Sequence, residues 1–247
     1  MSKKKIIYLF PNLITITYVF AGFLSIHASF QGKYLRAAFL IVMAAVLDGM
    51  DGIIARATHS HSEFGEVLDS LADTFAFGAS TSYLIYFWGL QHTTSSPAVI
   101  ISFFFLVATT LRLASYIILP RITADRNYYL GLTVPSASLL LAGIVIYHPQ
   151  PIEAGIRTFL FAALVIVLSL LMVSNLRYKN LLQFNFHRTV NIFTSLAAAL
   201  IISACVLYPL CLLLITLLYV LSGPARGIQC LLGNFFSRNK DDLAASG

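Results

Sequence analysis

The sequence predicts an all-α, polytopic membrane protein with about eight transmembrane helices. Three observations lead to this prediction. Hydrophobic residues make up 58% of the chain and charged residues only 11%, and the mean hydropathy is +0.83, which is far from the average of a soluble domain. The apolar residues are gathered into long runs with short polar connections between them. The Lys and Arg residues fall mainly on one side if these runs cross a membrane in alternation.

Most of the apolar runs approach the ~20 residues that a helix needs to cross a bilayer. They cover residues 7–29, 34–55, 68–90, 97–119, 130–148, 155–174, 189–207 and 209–223. The first run follows three lysines, but Pro11 and the lack of a clean cleavage site favour a retained helix over a signal peptide. No polar segment is long enough to fold alone. We therefore predict one integral membrane domain over 1–238 and a flexible tail over 239–247.

The basic residues predict the orientation. With the N-terminus in the cytoplasm and eight crossings, thirteen of the sixteen Lys and Arg residues lie on the cytoplasmic side, leaving Lys33, Arg36 and Arg157 on the other. Both termini are then inside, and the connection between the second and third runs, residues 57–66, is cytoplasmic. The net charge of +6 follows from basic residues at membrane rims. The sequence has no basic stripe on a soluble face, so it does not predict a nucleic-acid partner.

Six of the ten acidic residues lie in one stretch, residues 48–73. Asp48 and Asp51 are three residues apart and Asp69 and Asp73 are four apart, so each pair shares one face of a helix. Carboxylates beside membrane-spanning runs are costly unless something compensates their charge. Oxygen-only ligands suit Mg²⁺, Mn²⁺ or Ca²⁺, and the three cysteines have unrelated spacings that indicate neither zinc nor a disulfide framework. The stretch therefore predicts bound divalent metal, with room for two ions about 4 Å apart.

Small residues continue the face of the first acidic pair. Gly52 and Ala55 let a bulky ligand approach the helix backbone closely, and Arg56 is a fixed cation able to bind phosphate oxygens. Asp48 precedes Arg56 by eight residues, about 12 Å along a helix. The acidic pairs are therefore expected below the cytoplasmic surface, in a cavity open to the cytosol and sideways to the bilayer.

These residues resemble the signature of the CDP-alcohol phosphatidyltransferase family at all eight of its positions: Asp48, Asp51, Gly52, Ala55, Arg56, Gly65, Asp69 and Asp73. The resemblance implies CDP-diacylglycerol as donor, a hydroxyl compound as acceptor, CMP as leaving group, two Mg²⁺ or Mn²⁺ ions and a homodimer in a bacterial or archaeal cell membrane. It implies that all four aspartates hold metal and that Asp73 is also the base. It further implies that Gly52, Ala55, Arg56 and Gly65 line the CDP-diacylglycerol site.

The flanking segments resemble the branch of this family that uses L-serine as acceptor. Examples are 11–15, 21–26, 131–135 and 174–178, together with Ser70-Leu71 between the second pair of aspartates. Two segments depart from that branch, at 75–78 and 114–116, and both adjoin the expected acceptor region.

Other acceptors stay open at this stage. Glycerol 3-phosphate would need fixed cations, but no Lys or Arg lies between Asp73 and Arg112. Choline would favour an aromatic cage, for which Phe75, Phe77 and Tyr83 are candidates.

Several single residues have two interpretations. Arg112 is either a snorkelling side chain or a contact to acceptor or phosphate. His59 and His61 are expected to be solvated residues of the cytoplasmic loop, and Trp88 is expected to be an interfacial anchor. From another functional class, a cation-coupled transporter would also bury carboxylates, although usually on several broken helices rather than on one hairpin.

Overall fold

The computed structural model describes residues 3–58, 63–92, 95–118, 128–179 and 210–226. Within these ranges the protein is built almost entirely from helices, which confirms the predicted all-α class. The helices are α1 (Lys3–Phe30), α2 (Tyr34–Thr58), α3 (Glu63–Asp73), α4 (Ser80–Leu84), α5 (Ser95–Ile118), α6 (Val134–Tyr147), α7 (Ile156–Val173) and α8 (Leu210–Arg226). Seven of the eight predicted runs are thus helical, and the run 189–207 lies outside the described residues.

Three of these helices are long and apolar enough to cross a membrane. The qualifying stretches are Asn12–Phe30 in α1, Ser96–Tyr116 in α5 and Ile156–Val173 in α7. Helices α6 and α8 are apolar but shorter. By length and composition, the described helices make this chain an integral membrane protein.

Helices α1 and α2 form a tight antiparallel hairpin. The turn depends on Gly32, whose positive φ of 73° is a conformation that residues with a side chain rarely adopt. The Gly32 amide donates to the Ser29 carbonyl at 3.0 Å, and the Lys33 amide donates to the Ala28 carbonyl at 2.9 Å. This pair of bonds is a Schellman cap that satisfies the last carbonyls of α1. Ser25 on α1 then donates to the Ala37 carbonyl of α2 at 2.9 Å, which ties the two helices together inside the apolar core.

Residues 63–90 form one continuous helical segment with two changes of pitch. After α3 the chain forms a π-helical turn over Thr74–Ala79, returns to α-helix in α4, and forms a second π-helical turn over Ile85–Leu90. The apolar pattern predicted this helix but not the π-helical turns. The first of them begins directly after Asp73, so it changes the direction in which the following side chains point.

The first π-helical turn packs unusually close to its neighbours. A Cβ at Gly22 of α1 would lie 2.7 Å from the Cα of Ala76, so only glycine permits this approach of the two backbones. On another side of the turn, Ser138 of α6 donates a hydrogen bond of 3.3 Å to the Phe77 carbonyl. The backbone that follows Asp73 is therefore held between α1 and α6.

A short antiparallel ladder closes the end of the bundle beside α5, α6 and α8. Strand β1 (Tyr128–Leu130) pairs with β2 (Arg177–Lys179), with Tyr129 opposite Tyr178. The sequence analysis did not predict these strands, since each has three residues between apolar runs. Burial raises the pKa of Tyr178 to about 12, and its neutral hydroxyl donates to the Val220 carbonyl of α8 at 3.2 Å. The ladder thereby anchors α8 to the rest of the bundle.

One predicted role is wrong. Trp88 is not an interfacial anchor but is buried, with 1% of its surface exposed. Its indole nitrogen donates to the His148 carbonyl at 3.1 Å, and its ring meets Phe161 edge-to-face with centroids 5.1 Å apart. Because a carbonyl of the protein accepts its hydrogen bond, the polar tip of the side chain does not depend on lipid headgroups for a partner.

Candidate functional site

Three of the four predicted aspartates meet between α2 and α3. One carboxylate oxygen from each of Asp48, Asp69 and Asp73 lies within 4.8 Å of the other two. All three side chains are half-buried. The prediction that the two acidic pairs face each other is confirmed for these three residues, whereas the side chain of Asp51 lies outside the described residues.

The meeting follows from the way α2 and α3 are joined. Helix α2 ends at Thr58 and α3 begins at Glu63, so the connection has only four residues. Asp48 precedes the end of α2 by ten residues and Asp73 follows the start of α3 by ten, about 15 Å in each case. Equal distances along the two helices from this four-residue connection place the two carboxylates at the same depth. The connection is shorter than the predicted 57–66, because both helices extend into that stretch.

The arrangement fits a divalent cation. Three ionised carboxylates so close together repel one another, and a cation between them removes that cost. One carboxylate oxygen from each residue lies within 4.8 Å of the other two, close enough for a bound cation to be shared among them. Oxygen-only ligands of this kind suit Mg²⁺, Mn²⁺ or Ca²⁺.

Tyr18 of α1 contacts this cluster through Asp69. Its hydroxyl lies 2.9 Å from Oδ1 of Asp69 and 3.4 Å from the Asp69 carbonyl oxygen. The side chain is completely buried, and its ring stacks on Phe77 with centroids 6.3 Å apart. One carboxylate of the cluster is therefore held by a neutral hydrogen-bond donor from a helix outside the sequence motif.

Arg112 of α5 is the basic side chain that the structure places beside the cluster. Only 7% of its surface is exposed, and its guanidinium carbon lies 4.7 Å from the centre of the Tyr116 ring. The guanidinium interacts electrostatically with Asp73 and with Tyr219 of α8, while its Nε has no hydrogen-bond partner among the described residues. The burial of this side chain and the influence of Asp73 on it favour a contact inside the protein over snorkelling.

The remaining predicted site residues are less fully described. Gly65 is half-buried near the start of α3. The backbones of Gly52, Ala55 and Arg56 continue α2 on the face of Asp48, but their side-chain surroundings lie outside the described residues, as do His59 and His61.

Two of the aromatic residues considered for a choline cage, Phe77 and Tyr83, make separate ring contacts. Phe77 is fully buried against Tyr18, whereas Tyr83 stacks on Phe87 with centroids 6.1 Å apart. Tyr83 is also ten residues beyond Asp73, about 15 Å along the helical segment. An aromatic cage for a quaternary ammonium group needs its rings around a common centre.

The sequence analysis missed Tyr18, which contacts Asp69, and Tyr219, which influences Arg112. Tyr18 and Tyr219 belong to apolar runs remote from the motif, and no spacing links them to it. The available signal was chemical, because a tyrosine inside a membrane run needs a polar partner for its hydroxyl.

Comparisons with known proteins agree with this geometry. The model of the family described as CDP-alcohol phosphatidyltransferase matches residues 8–177. A CDP-diacylglycerol–serine O-phosphatidyltransferase of Helicobacter pylori is 31% identical over 95% of this chain and 97% of its own length. One from Methanocaldococcus jannaschii is 31% identical over 72% of this chain and 76% of its own. An archaetidylserine synthase of Methanothermobacter thermautotrophicus is 28% identical, covering 72% of this chain and 73% of that protein.

Proposed function

Because this chain belongs to the CDP-alcohol phosphatidyltransferase family, we propose that it transfers the phosphatidyl group of CDP-diacylglycerol to L-serine, giving phosphatidylserine and CMP. The meeting of Asp48, Asp69 and Asp73 beside the buried Arg112 is the observation that carries the proposal. The cluster supplies a place for metal and a base, and Arg112 supplies a cation for the acceptor. The similarity to serine transferases over 95% of the chain supports the choice of acceptor.

The four aspartates of the motif would hold two Mg²⁺ or Mn²⁺ ions: Asp48, Asp51, Asp69 and Asp73. Bound there, divalent metal would neutralise the diphosphate and make its phosphorus more electrophilic. The chain's own residues position the substrates. Gly52, Ala55 and Gly65 leave room for the cytidine diphosphate, and Arg56 binds its phosphate oxygens.

Asp73 acts as the base. It accepts the proton of the serine hydroxyl while the serine oxygen bonds to the phosphorus that carries diacylglycerol. The bond from that phosphorus to the bridging oxygen breaks, and CMP leaves with the electron pair. Proton transfer by a positioned carboxylate contributes about 10²- to 10⁴-fold to such a rate, and the remainder comes from positioning and electrostatics.

Arg112 binds the serine carboxylate. Its guanidinium is buried and close to Asp73, so a carboxylate bound there would bring the serine hydroxyl towards the base. The Nε of Arg112 has no hydrogen-bond partner among the described residues, so a bound carboxylate can accept its hydrogen bond. Glycerol 3-phosphate is disfavoured because its two charges need more than one cation, and no other Lys or Arg lies between Asp73 and Arg112. Choline is disfavoured by the separation of Phe77 from Tyr83.

The arrangement in the membrane is part of the proposal. One domain over 1–238 crosses the bilayer eight times, keeps both termini in the cytoplasm and assembles as a homodimer, with 239–247 as a tail. The active site then opens to the cytosol, where CDP-diacylglycerol presents its nucleotide and serine is dissolved. The excess of basic residues on the cytoplasmic side supports this orientation.

The experiment offers purified protein CDP-diacylglycerol with serine, glycerol 3-phosphate or choline, and measures CMP release and lipid product. We expect CMP release when serine is the acceptor and none with the other two acceptors. Chelation of divalent metal should abolish this release, and added Mn²⁺ or Mg²⁺ should restore it. Release with another acceptor and none with serine would reject the proposed acceptor. A cation-coupled transporter would release no CMP under any of these conditions.

A further inference from the structure

The hydroxyl of Tyr18 has a choice of two acceptors on the same residue. Its distance to Oδ1 of Asp69 is 2.9 Å, which is ideal for a hydrogen bond, and its distance to the Asp69 carbonyl oxygen is 3.4 Å. A phenol has a single proton to donate. The shorter contact, to a charged acceptor, therefore takes it, since hydrogen bonds to carboxylates are stronger than those to carbonyls.

The ring of Tyr18 cannot move easily away from this position. It is fully buried and stacked on Phe77. One turn further along α1, Gly22 lies against the backbone of Ala76, which fixes α1 relative to the residues that follow the cluster. The donor is thus placed by rigid elements on both sides.

We infer that Tyr18 is a positioning residue of the metal site, acting through Asp69. Its hydroxyl holds Oδ1 and so fixes the rotation of the Asp69 carboxylate, one oxygen of which lies within 4.8 Å of oxygens of Asp48 and Asp73. The inference rests on the proposed function, in which Asp69 holds metal. The hydrogen bond also offsets part of the repulsion among the three carboxylates, so that the cluster is already assembled when metal arrives.

Metal affinity is the property that this role controls. Residues that orient a metal ligand typically contribute 10- to 100-fold to affinity, because without them the ligand must be ordered when the ion binds. A buried tyrosine that merely satisfies its own hydroxyl would contribute to folding but not specifically to metal binding. The two roles therefore differ in a measurable way.

The test compares Tyr18→Phe with Tyr178→Phe. Each substitution removes one hydroxyl from a fully buried ring, but the hydroxyl of Tyr178 donates to the Val220 carbonyl rather than to a carboxylate of the cluster. Mn²⁺ binding is measured without substrate by electron paramagnetic resonance of free Mn²⁺, and melting temperature without metal reports folding. We expect Tyr18→Phe to bind Mn²⁺ 10- to 100-fold more weakly, and Tyr178→Phe to bind it as the unmodified protein does. The kcat of Tyr18→Phe should recover at saturating Mn²⁺.

A second variant distinguishes loss of the hydroxyl from a general loss of packing around it. Phe77→Leu keeps the Tyr18 hydroxyl but removes the ring on which it stacks, so its Mn²⁺ affinity should fall less than that of Tyr18→Phe. An equal or larger fall in Phe77→Leu, an equal fall in Tyr178→Phe, or unchanged affinity in Tyr18→Phe would each overturn the inference.

The outcome is separable from that of the proposed function. If the unmodified protein binds Mn²⁺ and Tyr18→Phe weakens binding, the inference holds even where the acceptor proves not to be serine. If the unmodified protein binds no Mn²⁺, both the metal site and the role of Tyr18 are wrong.

Discussion

Asp73 is the residue on which the proposed chemistry depends most. It shares the carboxylate cluster with Asp48 and Asp69, and it interacts with the buried Arg112. In the proposed mechanism, these neighbours put it between the metal and the acceptor. A carboxylate in this position can act both as a metal ligand and as a base.

Asp73→Asn should lower kcat for CMP release by at least about two orders of magnitude, because the amide can neither accept the proton nor neutralise a cation. The matched control is Glu153→Gln, which also removes one negative charge but lies before α7, away from the cluster. Asp73→Asn with the activity of the unmodified protein would remove this residue from the mechanism.

Arg112→Lys should raise KM for serine about 10-fold or more and leave KM for CDP-diacylglycerol nearly unchanged. Lysine keeps the positive charge but cannot form the two parallel hydrogen bonds that a guanidinium makes with a carboxylate. Steady-state kinetics with each substrate varied in turn measures the difference, and Arg157→Lys on the exposed surface of α7 is the control. Equal increases in both KM values would show that Arg112 does not act on the acceptor.

At the scale of helices, the site depends on how closely α1 approaches the segment 63–90. The contact of Gly22 with Ala76 brings Tyr18 to Asp69, and Ala76 belongs to the π-helical turn that follows Asp73. An added methyl group would push the two backbones apart.

Gly22→Ala should therefore destabilise the protein by about 1–3 kcal/mol, the usual cost of overpacking a core. The control is Gly143→Ala in α6, where the nearest atom to the new Cβ would be at an ordinary 3.6 Å. Thermal unfolding in detergent measures both. A Gly22→Ala variant as stable as Gly143→Ala would mean that the two helices separate at no cost.

Much of the fold was predictable from the sequence because membrane helices are apolar over their whole length. Because these helices are uniformly apolar, the sequence does not show which face of each helix packs against its neighbours. The motif spacing predicted that Asp48 and Asp69 would meet, but Tyr18 and Tyr219 reach the site through helix packing, which leaves no local pattern. The π-helical turns and the ladder of Tyr128–Leu130 with Arg177–Lys179 depend on contacts with neighbouring helices. The role of Arg112 was ambiguous because the side chain of an arginine near a helix end can point either to the membrane surface or into the protein.

At the scale of the whole molecule, the proposal requires the cluster to face the cytoplasm, where the nucleotide of the donor is accessible. The carboxylate cluster lies about 15 Å along α2 and α3 from the connection between these two helices. The side on which that connection lies therefore decides the side on which the reaction occurs.

In a background with Cys205, Cys211 and Cys230 replaced by alanine, His59→Cys should react with a membrane-impermeant maleimide from the cytoplasmic side. Thr93→Cys, which follows the segment 63–90, should react from the opposite side. Right-side-out and inverted vesicles give the comparison. The reverse pattern would contradict the orientation and the proposed access of CDP-diacylglycerol.

Transfer to serine is tested most directly by following the serine hydroxyl oxygen. Purified protein is given CDP-diacylglycerol, Mn²⁺ and L-serine labelled with ¹⁸O at the hydroxyl, and both products are analysed by mass spectrometry. Attack of that oxygen on the phosphorus that carries diacylglycerol predicts phosphatidylserine that retains the label and CMP that carries none. Unlabelled lipid product, labelled CMP, or no phosphatidylserine under conditions that release CMP would contradict the account.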